Sequence, residues 1–121
     1  MIPMSPVVNI EELDRVWNLA KKEANSSKMR RFQLGAVLVN RGKIISSGRN
    51  MHKTHPIFGS GEFKTMHAEG FAIYKAILNG ISPAGSIMYV YRKNGLKAKP
   101  CVSCEFLLKK FGIQRVLYSD E

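Results

Sequence analysis

Gln33-Leu34-Gly35-Ala36-Val37-Leu38-Val39 decides the fold, because after Gln33 no polar side chain interrupts it. A strand with one face in water alternates apolar and polar residues. A run that is apolar at successive positions therefore predicts a central strand, covered by helices on both sides. Gly35 within it predicts a close backbone approach or a bulge.

Working outward, the turn Asn40-Arg41-Gly42 returns the chain into a second strand over residues 43–47, making a hairpin. On the N-terminal side, Asn9 followed by Glu12 has the form of an N-cap with its reciprocal partner. Ile10, Leu13, Trp17, Ala20 and Ala24 then repeat at helical spacing, which predicts a first helix reaching to about residue 24. Trp17 on that stripe is expected to anchor the core. Lys28-Met29-Arg30-Arg31 follows, a basic segment suited to phosphate or to an ordinary surface loop.

Downstream of the hairpin, Gly48-Arg49-Asn50 opens a polar loop over residues 51–64, long enough to suggest function. Asn50 has the chemistry to hydrogen-bond a sugar or base, or to form a turn. His52 and His55 in the loop are expected to be solvated and are left outside any metal site. His67 opens a helix whose Ala68, Phe71, Ala72, Tyr74, Ala76, Ile77 and Leu78 supply an apolar face, and Asn79-Gly80 stops it. Ser82-Pro83-Ala84-Gly85 turns into a third strand over residues 86–91. The connection over residues 92–99 carries four cations and Asn94-Gly95, and reads as a flap beside a site or as a solvated loop. Pro100 suits the first position of a last helix, with Cys101 and Cys104 on one side of it and Gly112 at its end. Residues 113–118 form a fourth strand.

The order helix, strand, strand, helix, strand, helix, strand predicts an α/β fold, a three-layer α/β/α sandwich. Its mixed sheet has an antiparallel first hairpin, and strands two, three and four run parallel to one another. Both later helices then start at the same sheet edge, where such sheets hold ligands.

Composition sets the outer bounds. With 121 residues, 45% of them hydrophobic, the chain suits one compact domain over residues 1–121. It has no apolar run long enough for a membrane span, and its first eight residues are too short and proline-broken for a secretory signal, so a cytoplasmic protein without membrane partners is expected. Both cysteines lie in Cys101-Val102-Ser103-Cys104, which in a reducing compartment favours metal or redox chemistry over a structural disulfide. Nineteen Lys and Arg against nine Asp and Glu give a net charge of +10, which favours anionic partners, nucleotides or nucleic acid, although basic residues also simply solubilise a surface.

Two motifs carry the chemistry, His67-Ala68-Glu69 and Pro100-Cys101-Val102-Ser103-Cys104. His67, Cys101 and Cys104 are zinc ligands by type, and a helix N-terminus lowers thiol pKa values. Glu69, two positions from His67, points elsewhere and stays available for proton transfer. Three protein ligands with no obvious fourth predict an open, catalytic Zn2+ site, the competing readings being a closed structural zinc site and a redox Cys-x-x-Cys.

Over residues 30–119 the chain resembles the cytidine and deoxycytidylate deaminase superfamily, the resemblance resting on His67-Ala68-Glu69 and Pro100-Cys101-Val102-Ser103-Cys104. It implies zinc on His67, Cys101 and Cys104, proton transfer by Glu69, and substrate contacts at Asn50 and Ala68. Gly112-Ile113-Gln114-Arg115-Val116-Leu117-Tyr118 resembles the parallel fourth strand of the deoxycytidylate and tRNA-adenosine branches. Two departures bear on substrate. Residues 92–99 replace a shorter segment of many relatives, and the sequence stops at Glu121, before the further helix and strand that many append. The expected activity is hydrolytic deamination of a cytosine-type base, with a zinc-activated water attacking C4 while Glu69 relays protons. A deoxycytidylate-like nucleotide or nucleoside is the expected substrate, and a homo-oligomer the expected assembly. Deamination of cytosine or adenine in single-stranded nucleic acid or tRNA, and a non-catalytic zinc-bearing nucleic-acid-binding module, are the alternatives.

Overall fold

The computed structural model of the chain describes residues 10–28, 33–51, 67–93 and 102–119, the side chains of residues 10–12 and 102–105 excepted. Seven elements follow in order: α1 (Ile10–Ser26), β1 (Leu34–Asn40), β2 (Lys43–Arg49), α2 (Ala68–Leu78), β3 (Ile87–Arg92), α3 (Val102–Lys110) and β4 (Arg115–Tyr118). Each element expected from the sequence is present, with boundaries displaced by a residue or two.

The four strands form one sheet in the order β2-β1-β3-β4. β1 pairs antiparallel with both β2 and β3, and β3 pairs parallel with β4, so β2, β3 and β4 run in one direction. The apolar run that opened the reading is therefore interior to the sheet. Its side chains alternate between two cores, as burial on both faces requires. Val37 and Val39 pack with Val16, Ala20, Ile87 and Tyr89 on the α1 side. Ala36 and Leu38 pack with Ala72, Ile73, Ala76, Met88, Val90, Leu107 and Leu108 on the side of α2 and α3. Trp17 belongs to the α1-side core as expected, its ring meeting that of Tyr89 edge-on, with centroids 5.4 Å apart and planes at 89°.

Local chemistry explains the connections. The hairpin turns on Arg41 and Gly42, both at positive φ (52° and 80°), as a two-residue primed turn demands. A register shift at Leu38 and Val39 places one extra residue on β2. α2 ends in a Schellman motif: Gly80 has φ 74°, its N–H donates to the Ile77 carbonyl at 2.9 Å, and the Ile81 N–H reaches the Ala76 carbonyl at 2.9 Å. Gly112 ends α3 the same way, with Ile113 N–H on the Leu108 carbonyl at 2.9 Å.

Gly35 proves to be a close approach, and the bulge lies elsewhere. A Cβ on Gly35 would stand 2.0 Å from the Ala20 carbonyl oxygen and 2.7 Å from the Ala24 nitrogen. The absent side chain lets α1 lie directly on β1. Gly48 does the same on the opposite face, where a Cβ would come within 2.6 Å of the Ala72 nitrogen and 2.9 Å of the Ala68 oxygen. Among the described residues, no helix is long and apolar enough to cross a membrane.

Candidate active site

Several chain segments meet at one edge of the sheet. β2 ends there and delivers Asn50, β1 begins there at Leu34, and α1 ends there, with Ser27 directly after it. β3 ends beside them, since the Lys93 N–H donates to the Gln33 carbonyl at 2.9 Å. Because α2 follows β2 and α3 follows β3, both helices open toward this edge and run away from it. Their far ends lie at the opposite edge, where the Gly85 N–H donates to the Gly112 carbonyl at 2.8 Å.

His67 is the N-cap of α2, with extended backbone (φ −76°, ψ 157°), and its carbonyl accepts the Phe71 N–H at 3.0 Å. Cap positions favour Ser, Thr, Asp or Asn, whose side chains bond the free amides of the first turn. The His67 side chain makes no such cap bond. Burial holds the imidazole pKa below its ordinary value, favouring the neutral ring.

Glu69, in the first turn of α2, is only 3% exposed. Desolvation raises its carboxyl pKa, and a hydrogen bond from its own backbone N–H offsets part of that rise. A buried acid whose pKa moves toward neutrality is the kind of group that can both take and return a proton. Ala68 between the two residues is fully buried. The α2 backbone around it is seated by two devices on β2: the missing side chain of Gly48, and the Ser46 hydroxyl, which donates to the Ala72 carbonyl at 2.7 Å.

Asn50 is buried, and its role at the strand exit is specific. Its backbone N–H donates to the Leu34 carbonyl at 3.2 Å, while its Oδ1 accepts the Leu34 N–H at 3.0 Å. The Ser27 hydroxyl, also buried, stands 2.7 Å from the same Oδ1 and 3.0 Å from the Asn50 carbonyl oxygen. Next to it Arg49 pairs with Glu23 of α1 at 3.5 Å, and the Glu23 carboxylate also accepts the Ser47 hydroxyl.

Asn50 leaves β2 at the sheet edge toward which α2 opens with His67, Ala68 and Glu69. Cys104 is the third residue of α3, in its first turn, and Cys101 immediately precedes that helix, outside the described residues. Among the described residues no group of three His, Cys, Asp or Glu is assembled for a metal, both thiols lying outside that set. His52, His55, Asn9 with its capping role, residues 29–31 and residues 94–99 also lie outside the described residues. Sequence reasoning missed Ser27 and Gly48. A glycine inside a strand is a usable signal of close approach; Ser27, which directly follows a helix ending in serine, carries none.

A mixed sheet with one helix on one face and two on the other, both opening at one edge, defines a cytidine deaminase-like α/β protein. The chain belongs to the cytidine and deoxycytidylate deaminase family, whose zinc-binding region matches residues 10–120. Among solved structures it is similar to the dCMP deaminase of the cyanophage S-TIM5 (TM-score 0.70, 23% identity, 89% of this chain and 82% of that one). It is also similar to cytidine deaminase from Burkholderia pseudomallei (TM-score 0.68, 22% identity, 88% and 83% of the two chains). Guanine deaminase from Bacillus subtilis is similar over 93% of this chain and 65% of that one, with TM-score 0.58 and 27% identity. The first two likenesses establish the fold. No curated protein matches the sequence at a significant level. Membership of this family supports an enzyme that deaminates nucleotides or nucleosides.

Proposed function

We propose that the chain is a zinc-dependent hydrolytic deaminase of a cytosine-type base, acting on a deoxycytidylate-like mononucleotide. The observation that carries this is the opening of α2: a half-buried neutral imidazole at the cap, and two positions on a fully buried carboxyl with a raised pKa. The parallel pairing of β3 with β4 supports the deoxycytidylate branch over the free-cytidine branch. The phage dCMP deaminase of similar fold has been solved in complex with dCMP and dUMP.

The donor set fits zinc. A neutral imidazole offers a lone pair without a proton to displace, and thiolates are favoured at the start of a helix such as α3. His67, Cys101 and Cys104 would hold the ion. When bound, zinc supplies the Lewis acidity that makes a water nucleophilic near neutral pH.

The remaining work falls to the chain. Glu69 takes the proton of the attacking water as oxygen bonds to C4, and delivers it to the ring nitrogen. It then moves a proton to the departing amine, so that water plus the amino-pyrimidine gives the carbonyl and ammonia. Desolvation suits it to both directions of transfer. Asn50 and Ala68 contact the substrate beside it.

The test is ammonia release from cytidine, deoxycytidine, their monophosphates, adenosine, guanine and short single-stranded oligonucleotides, run beside Glu69→Ala. Deoxycytidylate turnover that Glu69→Ala abolishes, with zinc content unchanged, supports the proposal. Activity surviving that substitution sinks the mechanism. Turnover confined to oligonucleotides overturns the substrate.

A further inference from the structure

α2 lies against the sheet through residues too small to key it in place. Ala68, Ala72 and Ala76 are fully buried in the core that α2 shares with the sheet, and β2 meets them with Gly48. A Cβ on Gly48 would stand 2.6 Å from the Ala72 nitrogen, 2.9 Å from the Ala68 oxygen and 3.1 Å from the Phe71 carbonyl carbon. The strand backbone therefore touches the first turn of the helix with no side chain between them. Interdigitating side chains fix how far a helix slides or turns on its seat, and methyl groups over a glycine do so weakly.

Ser46 adds a directional contact to this smooth one. It lies two residues before Gly48 on the same face of β2, is 9% exposed, and donates its hydroxyl to the Ala72 carbonyl at 2.7 Å. Inside α2 that carbonyl also accepts the N–H of Ala76 in the ordinary helical way, so the hydroxyl takes its second lone pair. Gly48 and Ser46 thus hold the turn from Ala68 to Ala72 by its backbone at two points. Glu69 belongs to that turn, and it shares the buried face of the helix with Ala72 and Ile73, three and four residues on.

We propose that Ser46 is a positioning residue for proton transfer: its hydrogen bond to the Ala72 carbonyl fixes the seat of α2 on β2, and through it the place of the Glu69 carboxyl against the reacting ring. This rests on the reading of Glu69 as the proton carrier, and the closing experiment separates the two. Any slide of α2 along its seat carries Glu69 with it. Proton transfer is steep in geometry: a misplacement of about 1 Å costs about a hundredfold in rate, and about half that displacement about tenfold. Binding of the base is less demanding, so the loss falls on kcat more than on KM. The fold itself loses little, because the Ala72 carbonyl keeps its helical bond when the hydroxyl goes.

The experiment measures kcat per zinc-loaded chain, KM for deoxycytidine monophosphate and the thermal midpoint, on the full chain and on Ser46→Ala, Val16→Ala and Glu69→Ala. Val16 lies in the core on the α1 side of the sheet, so its truncation loosens the fold without touching the seat of α2. The expected result is a kcat lowered about tenfold by Ser46→Ala with KM within about threefold. Val16→Ala lowers the midpoint at least as far and leaves kcat within about threefold. If Ser46→Ala keeps the wild-type kcat, or raises KM while kcat holds, its hydroxyl does not position Glu69. If Ser46→Ala lowers the midpoint further than Val16→Ala does, or Val16→Ala lowers kcat as much, the loss is one of general stability and the proposal fails. If Glu69→Ala retains turnover, the underlying reading of Glu69 fails, whatever Ser46 does.

Discussion

The side-chain oxygen of Asn50 accepts the backbone N–H of Leu34 at 3.0 Å while the backbone N–H of Asn50 donates to the Leu34 carbonyl at 3.2 Å, so that the first residue of β1 is satisfied by one residue beyond the end of β2. The pair closes the sheet at the edge where the site lies. Removing the side chain takes the acceptor from the half-buried Leu34 amide, while the Ser27 hydroxyl keeps the Asn50 backbone carbonyl at 3.0 Å. Asn50→Ala should therefore lower unfolding free energy by about 1–3 kcal/mol, the usual cost of a buried donor left unpaired. Asn50→Asp should lose less at neutral pH, since the carboxylate restores an acceptor. Urea denaturation of the two variants checks the order, and a loss below about 0.5 kcal/mol for Asn50→Ala would mean that its side chain does not hold this edge of the sheet.

Gly35 and Gly48 permit the helices to lie on opposite faces of the sheet, and their substitution should have different consequences. At Gly35 an alanine Cβ would meet the Ala20 carbonyl oxygen at 2.0 Å, which only a shift of α1 can relieve. At Gly48 it would meet Ala72 N at 2.6 Å and Ala68 O at 2.9 Å, within the turns of α2 that carry Glu69. Overpacking of this kind costs about 1–3 kcal/mol or more. Gly35→Ala should be the more destabilising of the two, while Gly48→Ala should show the larger fall in turnover and zinc content per unit of stability lost. Equal effects on activity at equal stability would mean that the seat of α2 does not govern the site.

The same two glycines mark how far the fold was legible. The continuous apolar run at residues 34–39 announced a strand buried on both faces, and the alternation of Val37 and Val39 against Ala36 and Leu38 is what that burial looks like in three dimensions. Gly80 and Gly112 announced helix ends because a positive φ there is a backbone need that only a few residues meet cheaply. His67 and Glu69 were legible because their chemistry is rare at two-residue spacing. Ser27 was not, because its partner is 23 residues away in sequence and a serine after a helix is ordinary. Hydrogen bonds between distant segments leave no periodicity to read.

Metal removal tests whether the two helices share an ion. α2 and α3 open at one edge, and a ligand set of His67, Cys101 and Cys104 would bind the folded chain but not the unfolded one. Anything that binds only the native state stabilises it, by about 2.7 kcal/mol when its concentration is one hundred times its dissociation constant. A chelator should therefore lower the thermal midpoint of the zinc-loaded protein, and added zinc should restore it. The double variant Cys101→Ser/Cys104→Ser should start at the chelated midpoint and ignore both treatments. A chelator shift that persists in that variant would move the metal elsewhere.

Glu69 makes a prediction that needs no substrate. In the metal-stripped protein its burial holds the carboxyl pKa above the value of about 4.3 that an unfolded chain gives it. The folded state then binds this proton more tightly than the unfolded state does. The stability it contributes is complete below the unfolded value and is lost as pH rises through the raised folded value, at no more than about 1.4 kcal/mol per pH unit. Glu69→Gln imitates the protonated form at every pH. Compared by urea denaturation after metal removal, Glu69→Gln and the parent chain should differ least near pH 4, and the variant should gain on the parent as the pH rises above the unfolded value. A constant difference across that range would mean that Glu69 titrates alike in the folded and unfolded chain, and that desolvation does not poise it for proton transfer.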